Sequence, residues 1–336
     1  MPTKRRWNSK CEQKWKLQLT SCTRSTSSGQ WSYLQKDKTV TYTSRDVTLV
    51  GQEVHLSQKA FVDGRMDYMK VKRQSGRPET DKCTLEEHAE YRSGVGNMHW
   101  VTSQTRPDHA VDTSRLQKRQ NAPTYGDLKD LAKTIKEIKG TASAVLKIKP
   151  IRNPCVGAFT DSSLYGAEGE LIDRDSDLEG YDKHKIHSQA GSLITLMSKD
   201  QLDDIGDVQF SIGDWRTGAS RRVFHATFAA EANAAMQTTG LAIYYRAYYC
   251  DILCGGASTM DPDEYGEDQL QIKLFTDCKS VFDNLKKDGS VSEDKQVAVS
   301  MASLRGTVSA GPGRNKSKAE ALWLPSRWQL ADCLTK

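Results

Sequence analysis

Cys155-Val-Gly-Ala-Phe-Thr-Asp161 and Leu270-Gln-Ile-Lys-Leu-Phe-Thr-Asp277 repeat one pattern, a short apolar run closed by Phe-Thr-Asp. Short apolar runs of this kind suit buried strands. Each strand delivers a carboxylate among otherwise apolar neighbours, where a bound cation would offset the cost of burial. An acid at a strand end is more often a loop cap, so these two gain weight only from their surroundings.

Downstream of Asp161 an acidic insertion (residues 168–182) precedes two more strand candidates, Ser192-Leu-Ile-Thr-Leu-Met197 and Val208-Gln-Phe-Ser-Ile212. An alanine-rich helix is predicted from about Thr227 to Tyr245, with Glu231 in its first turn or so. Residues 255–268 form a second acidic, glycine-containing loop before the strand that ends at Asp277. Helices follow, one carrying Val281, Phe282 and Leu285 and another from about Asp294 to Leu304. A basic loop (Arg314, Lys316, Lys318) leads to a strand, Ala321-Leu-Trp-Leu324. Ser326 and Gln329, three residues apart, read as the capping box of a short terminal helix with Asp332 in its second turn. Three strands, a helix, a strand, helices, a strand and a final helix describe an α/β unit, a mixed sheet flanked by helices. That is the element order of the ribonuclease H fold.

Upstream, residues 1–30 are polar and aperiodic and read as a poorly ordered lead-in. Alternating runs at Thr39–Thr43, Val47–Val50 and Val54–Leu56 predict strands, with Val50-Gly-Gln-Glu53 as a hairpin turn. A charged linker (70–81) leads into residues 84–140, which read as helical. The clearest helix is Tyr125–Lys139, with Leu128, Leu131, Ile135 and Ile138 on one stripe and Gly140 at its end. Lys129, Lys133, Lys136 and Lys139 mostly face away from that stripe. Such a face can track a phosphate backbone, although a solvated surface is its commoner use.

The net charge of +5 hides an asymmetry: residues 1–150 carry 28 basic and 16 acidic side chains, residues 151–336 carry 20 and 27. A basic half beside an acidic half suits a polyanion-holding module joined to a cation-binding one, or simply two domains of different pI. A mean hydropathy of −0.65 and the lack of any apolar stretch near the roughly 20 residues that span a bilayer exclude a transmembrane protein. No secretory signal follows the basic start. The 8 cysteines are scattered, with Cys250 and Cys254 isolated, and His184 and His187 lie far from any cysteine pair. Structural zinc is therefore not expected, and reduced thiols point to an intracellular protein, cytoplasm and nucleus not being distinguishable.

Several segments resemble landmarks of the C-terminal part of copia-type LTR retrotransposon Pol polyproteins. Tyr91-Arg-Ser-Gly-Val-Gly96, Thr105-Arg-Pro-Asp108 and Lys139-Gly-Thr141 resemble the family's YRSxVG, TRPD and KGT, in order. Phe159-Thr-Asp161 resembles its first ribonuclease H strand, Ala226-Thr-Phe-Ala-Ala-Glu-Ala232 its SSTEAE helix and Thr276-Asp-Cys-Lys-Ser280 its DNxSA strand end. The most specific match is Leu324-Pro-Ser-Arg-Trp-Gln-Leu-Ala-Asp-Cys-Leu-Thr-Lys336, similar to the terminal VPTxxQxADxLTK. The resemblance implies a reverse transcriptase C-terminal (thumb/connection-like) α+β region at 31–140 and a ribonuclease H-like domain at 141–336. It places the catalytic, metal-holding carboxylates at Asp161, Glu231, Asp277 and Asp332. It further implies two Mg2+ ions (Mn2+ as a substitute), with Asp161 bridging them, Glu231 and Asp277 on one and Asp332 on the other.

The partners so implied are an RNA/DNA hybrid and the rest of a Pol polyprotein, with no membrane and no small-molecule cofactor. The hybrid would be read by shape and 2′-hydroxyls, with Lys129, Lys133, Lys136 and Arg216 as candidate contacts. Departures from the family pattern are visible. Asp161-Ser-Ser-Leu-Tyr-Gly166 lacks the second aspartate and the tryptophan of D-x-D-W-x-G. Lys295–Ser303 has lost both histidines of KHIDIRYHF, and none lies between Arg314 and Asp332. The polymerase palm aspartate pair is missing, so the chain alone is not expected to polymerise DNA. Two functions stay open: a Mg2+-dependent nuclease, or a catalytically inactive nucleic-acid-binding remnant of a truncated retrotransposon.

Overall fold

The computed structural model describes residues 34–67, 76–163, 187–202, 208–224, 227–254, 270–287, 295–309 and 319–336. The polar lead-in, both acidic loops and the basic loop lie outside them. The first strands form an antiparallel meander: β1 (Thr39–Tyr42), β2 (Arg45–Val50) and β3 (Glu53–Ser57). Both connections are tight. Thr43 and Ser44 adopt φ of 48° and 61°, and Gly51 opens the second turn at 61°. Positive φ matches the twist of flanking strands in two-residue hairpins. A fourth strand, β4 (Leu146–Ile148), pairs with β3 from beyond residue 140.

Beside this small sheet stand α1 (Lys59–Arg65), α2 (Leu85–Thr102), α3 (Ala110–Lys118) and α4 (Tyr125–Gly140). The two longest begin with the same device. Thr84 with Glu87, and Thr124 with Asp127, exchange side-chain and backbone hydrogen bonds as capping boxes. The stripe read from the sequence is the buried side of α4: Leu128, Leu131, Ile135 and Ile138 pack with Tyr91, Val95, Met98 and Val101 of α2.

The larger unit is a six-stranded mixed sheet. Its centre is β5 (Pro154–Ser163), flanked on one side by β6 (His187–Ser198) and β7 (Phe210–Val223), all antiparallel. On the other side β8 (Ile272–Thr276) and, beyond it, strands β9 (Val308–Ser309) and β10 (Ala319–Trp323) run parallel, giving the order β7-β6-β5-β8-β10-β9. Strand β7 far outruns the apolar segment that predicted it. Its remainder is polar because it is an edge strand, and Gly213 is inserted as a bulge between the pairs Thr195–Ile212 and Ile194–Asp214. A Cβ on Gly213 would overlap the Tyr245 hydroxyl and ring, so only glycine fits there.

Side chains along β5 alternate between two cores. Val156 and Ala158, with Ile194 and Leu274, face the alanine-rich α5 (Thr227–Cys254) and, next to it, Met301 and Leu304. Those two belong to the last helix; α6 (Lys279–Lys286) and α7 (Lys295–Thr307) complete that layer. Cys155 and Phe159, with Leu193 and Phe275, face Ala110 of α3 and Leu324, Ala331 and Leu334 from the end of the chain. Phe159 and Phe275 stack at 4.6 Å between ring centroids. Helices thus cover both faces, and the N-terminal helical unit supplies one of the covers. No helix among the described residues is long and apolar enough to cross a membrane.

One expectation fails. The C-terminal segment is not a capped helix but two 3-10 turns, Ser326–Trp328 and Leu330–Leu334, separated by extended Gln329 (φ −74°, ψ 100°). The Gln329 side chain bonds the sheet and at the same time caps the second turn, not the first. Its Nε2 donates to the Thr160 carbonyl at 2.9 Å and its Oε1 accepts from the Ala331 amide at 3.2 Å. The Oε1 that a capping box at Ser326 would need is thus taken by the Ala331 amide.

Candidate active site

Asp161 lies near the C-terminal end of β5, and Asp277 directly follows β8. These are adjacent parallel strands whose chains leave in opposite directions, β5 toward β6 and β8 toward β10. Open α/β sheets bind ligands at such switch points. Glu231 reaches the same end of the sheet from the second turn of α5, and Asp332 from the second C-terminal 3-10 turn.

The four carboxylates share one electrostatic neighbourhood. Asp161 and Glu231 are each only 5% exposed; Asp277 and Asp332 are half-buried. Burial, and then the Asp161 and Asp277 charges, push the Glu231 carboxyl up to about 9. Burial likewise raises Asp161, which Asp277 and Asp332 reinforce, against a hydrogen bond from Thr335. The Thr335 hydroxyl donates to Asp161 Oδ2, and Lys336 Nζ is bonded to Asp332 Oδ1. That bond, with the nearby Asp332, Asp161 and Asp277 charges, holds the Lys336 ammonium above its usual range. The Ser162 amide donates to Glu231 Oε1 at 3.3 Å, whereas Glu231 Oε2 is buried with no hydrogen-bond partner among the described residues.

An unpartnered buried oxygen amid repelling carboxylates is the environment a hard divalent cation relieves, and the donor set is all oxygen, as Mg2+ requires. The residues therefore fit such an ion. They are gathered rather than closed on a point: among the described residues no three His, Cys, Asp or Glu side chains form a group arranged to hold a metal.

The basic candidates lie elsewhere. Arg216 on β7 is in the row Thr160–Ser192–Arg216, on the α5 side of the sheet, one residue along from the Asp161–Gly191–Thr217 row. Its side chain is 67% exposed and lines an open groove of about 630 Å³ with Ser192, Asn233 and Gln237. Lys129, Lys133 and Lys136 are exposed on α4, which packs on α1, α2 and α3 and is not brought to the carboxylates. Lys129 is paired with Glu79 at 2.5 Å and sits over the Tyr125 ring. The sequence reading assigned no role to Thr335 or Lys336, and to Gln329 only a capping one. The one signal for them was their presence in the terminal block around Asp332.

No protein-family model matches the chain, and no curated protein matches it. Among solved structures, the chain is similar to the RNase H1 from the halophilic archaeon Halobacterium salinarum NRC-1, with 14% identity and a TM-score of 0.29, over 53% of this chain and 92% of that one.

Proposed function

We propose that the chain is a Mg2+-dependent nuclease of the ribonuclease H type that cuts the RNA strand of RNA/DNA hybrids, and that it comes from the C-terminal part of a copia-type retrotransposon Pol polyprotein. The observation that carries this is the unpartnered Glu231 Oε2, buried beside Asp161 and Asp277 at the switch point of the sheet. Asp161, Glu231, Asp277 and Asp332 would hold the metal. Two such ions, when bound, supply a water nucleophile at neutral pH and neutralise the leaving oxygen.

The remaining work falls to the chain's own groups. Thr335 fixes one oxygen of Asp161 and leaves the other available, and the Ser162 amide does the same for Glu231. Lys336 holds Asp332 at the rim. Ser163, where the family has its second aspartate, is bonded to the Thr335 carbonyl at 3.4 Å and so braces the same turn. Arg216 and its groove would take a backbone phosphate of the hybrid, and Lys129, Lys133 and Lys136 would extend the basic track on residues 31–140.

The retrotransposon origin draws support from two landmarks 35 residues apart. Arg106 of the TRPD-like segment donates to Asp108 at 2.7 Å, and to the Thr141 hydroxyl at 2.8 Å and carbonyl at 3.1 Å in the KGT-like one. A buried guanidinium joining both segments gives a physical reason for their occurring together. The test is cleavage of a hybrid labelled on its RNA strand, with Mg2+, by the wild type and by Asp277→Asn. RNA-strand products from the wild type alone are expected. Equal activity in both, or none in either, removes the nuclease function.

A further inference from the structure

Gln189 of β6 is 1% exposed, yet it is polar and sits where three elements meet. Its Oε1 accepts from Lys118 Nζ of α3 at 2.9 Å. Its Nε2 donates to Ser114 Oγ of α3 at 3.2 Å and to Thr217 Oγ1 of β7 at 2.6 Å. Thr217 in turn donates to the Leu334 carbonyl at 2.5 Å. The next residue, Thr335, holds Asp161, and Asp332 lies two residues before Leu334.

Chemistry fixes the direction of this chain. A lysine ammonium only donates, so the amide oxygen must face Lys118 and the amide nitrogen must face the hydroxyls. Thr217, accepting from that nitrogen, has its own proton free for the Leu334 carbonyl. Gly191 stands between Asp161 and Thr217 in the same row, and the turn rests on it: an added Cβ would lie 2.9 Å from Leu334 Cβ and Thr335 Cγ2. A second tie joins β7 to the end of α2 in the same helical unit, Trp215 Nε1 donating to the Thr102 carbonyl at 2.8 Å.

We infer that Gln189 is a positioning residue through which α3 of the N-terminal helical unit holds the turn carrying Asp332 and Thr335 in register with Asp161. Its effect on cleavage rests on the nuclease function proposed above; the mechanical coupling does not. In this arrangement the helical unit is a structural part of the carboxylate site as well as a neighbouring basic surface.

The experiment uses the full chain and compares Gln189→Leu, Gln189→Glu and Ser114→Ala with wild type by amide hydrogen exchange and by hybrid cleavage. Gln189→Leu keeps the volume and severs the relay. Amides of 330–336 then exchange about ten-fold faster while those of α5 are unchanged, and kcat falls about ten-fold with KM held. Gln189→Glu keeps the Lys118 contact and loses the donor to Thr217, so it behaves like Gln189→Leu. Ser114→Ala, remote from the carboxylates, gives a smaller change of the same pattern and serves should both Gln189 variants fail to fold. Unchanged exchange at 330–336 in these variants, or wild-type behaviour of Gln189→Glu, overturns the relay. If the wild type cuts no hybrid, the nuclease function falls while the exchange data still decide the coupling.

Discussion

Replacing Glu231 by glutamine should stabilise the protein in chelator at neutral pH and leave it nearly unchanged in acid. Unfolded, the carboxyl ionises near 4.5; folded, burial and the Asp161 and Asp277 charges move it to about 9. Its contribution to stability is whole below pH 4.5 and is lost progressively as pH rises toward about 9, because the unfolded chain releases a proton the folded chain keeps. At about 1.4 kcal/mol per pH unit, the loss by pH 7 is roughly 3 kcal/mol. A glutamine side chain has no proton to release, so the Glu231→Gln variant lacks this slope. For a domain of this size the gap in Tm between variant and wild type should open by about 5–10 °C from pH 5 to pH 7. Thermal unfolding in EDTA across that range measures it, and millimolar Mg2+ should narrow the gap at pH 7 by binding the folded wild type in exchange for that proton. A gap identical at pH 5 and pH 7, or a less stable variant at pH 7, would refute the reasoning.

Three further outcomes follow from particular contacts. Gly191→Ala should push the 3-10 turn off β6 and lower kcat at least ten-fold, at a stability loss of about 1–3 kcal/mol seen in urea melts. Gly213→Ala overlaps the Tyr245 ring and should lose a similar amount of stability, yet keep its activity well below the melting temperature, because it lies away from the carboxylates. Lys133→Gln with Lys136→Gln should weaken hybrid binding and reduce the salt slope by about 0.9 per lysine; an unchanged slope would mark α4 as a solvated face.

Much of the fold could be read from the residues because its signals are local. The stripe Leu128, Leu131, Ile135 and Ile138 becomes the buried side of α4, and the two Phe-Thr-Asp endings lie on adjacent parallel strands. Strand β7 was harder, since an edge strand needs no continuous apolar run and its bulge at Gly213 breaks the alternation. The C-terminal segment misled because Gln329 caps the second turn and not the first, held there by a bond to the Thr160 carbonyl of a strand 169 residues away. Gln189 left no trace in the sequence at all: a polar residue in a strand looks solvent-facing until α3 is known to lie over it. Motif order singled out the four acids as candidates, whereas Thr335 and Lys336, which restrain two of them, are evident only from contacts.

The central claim, that four carboxylates form one cation-dependent site, is tested most directly by calorimetric titration of the metal-free protein with Mn2+ alongside Asp161→Asn. Saturable binding by the wild type, lost or weakened at least ten-fold in Asp161→Asn, is the predicted result. No binding by a folded wild type, or equal binding by both proteins, would contradict it.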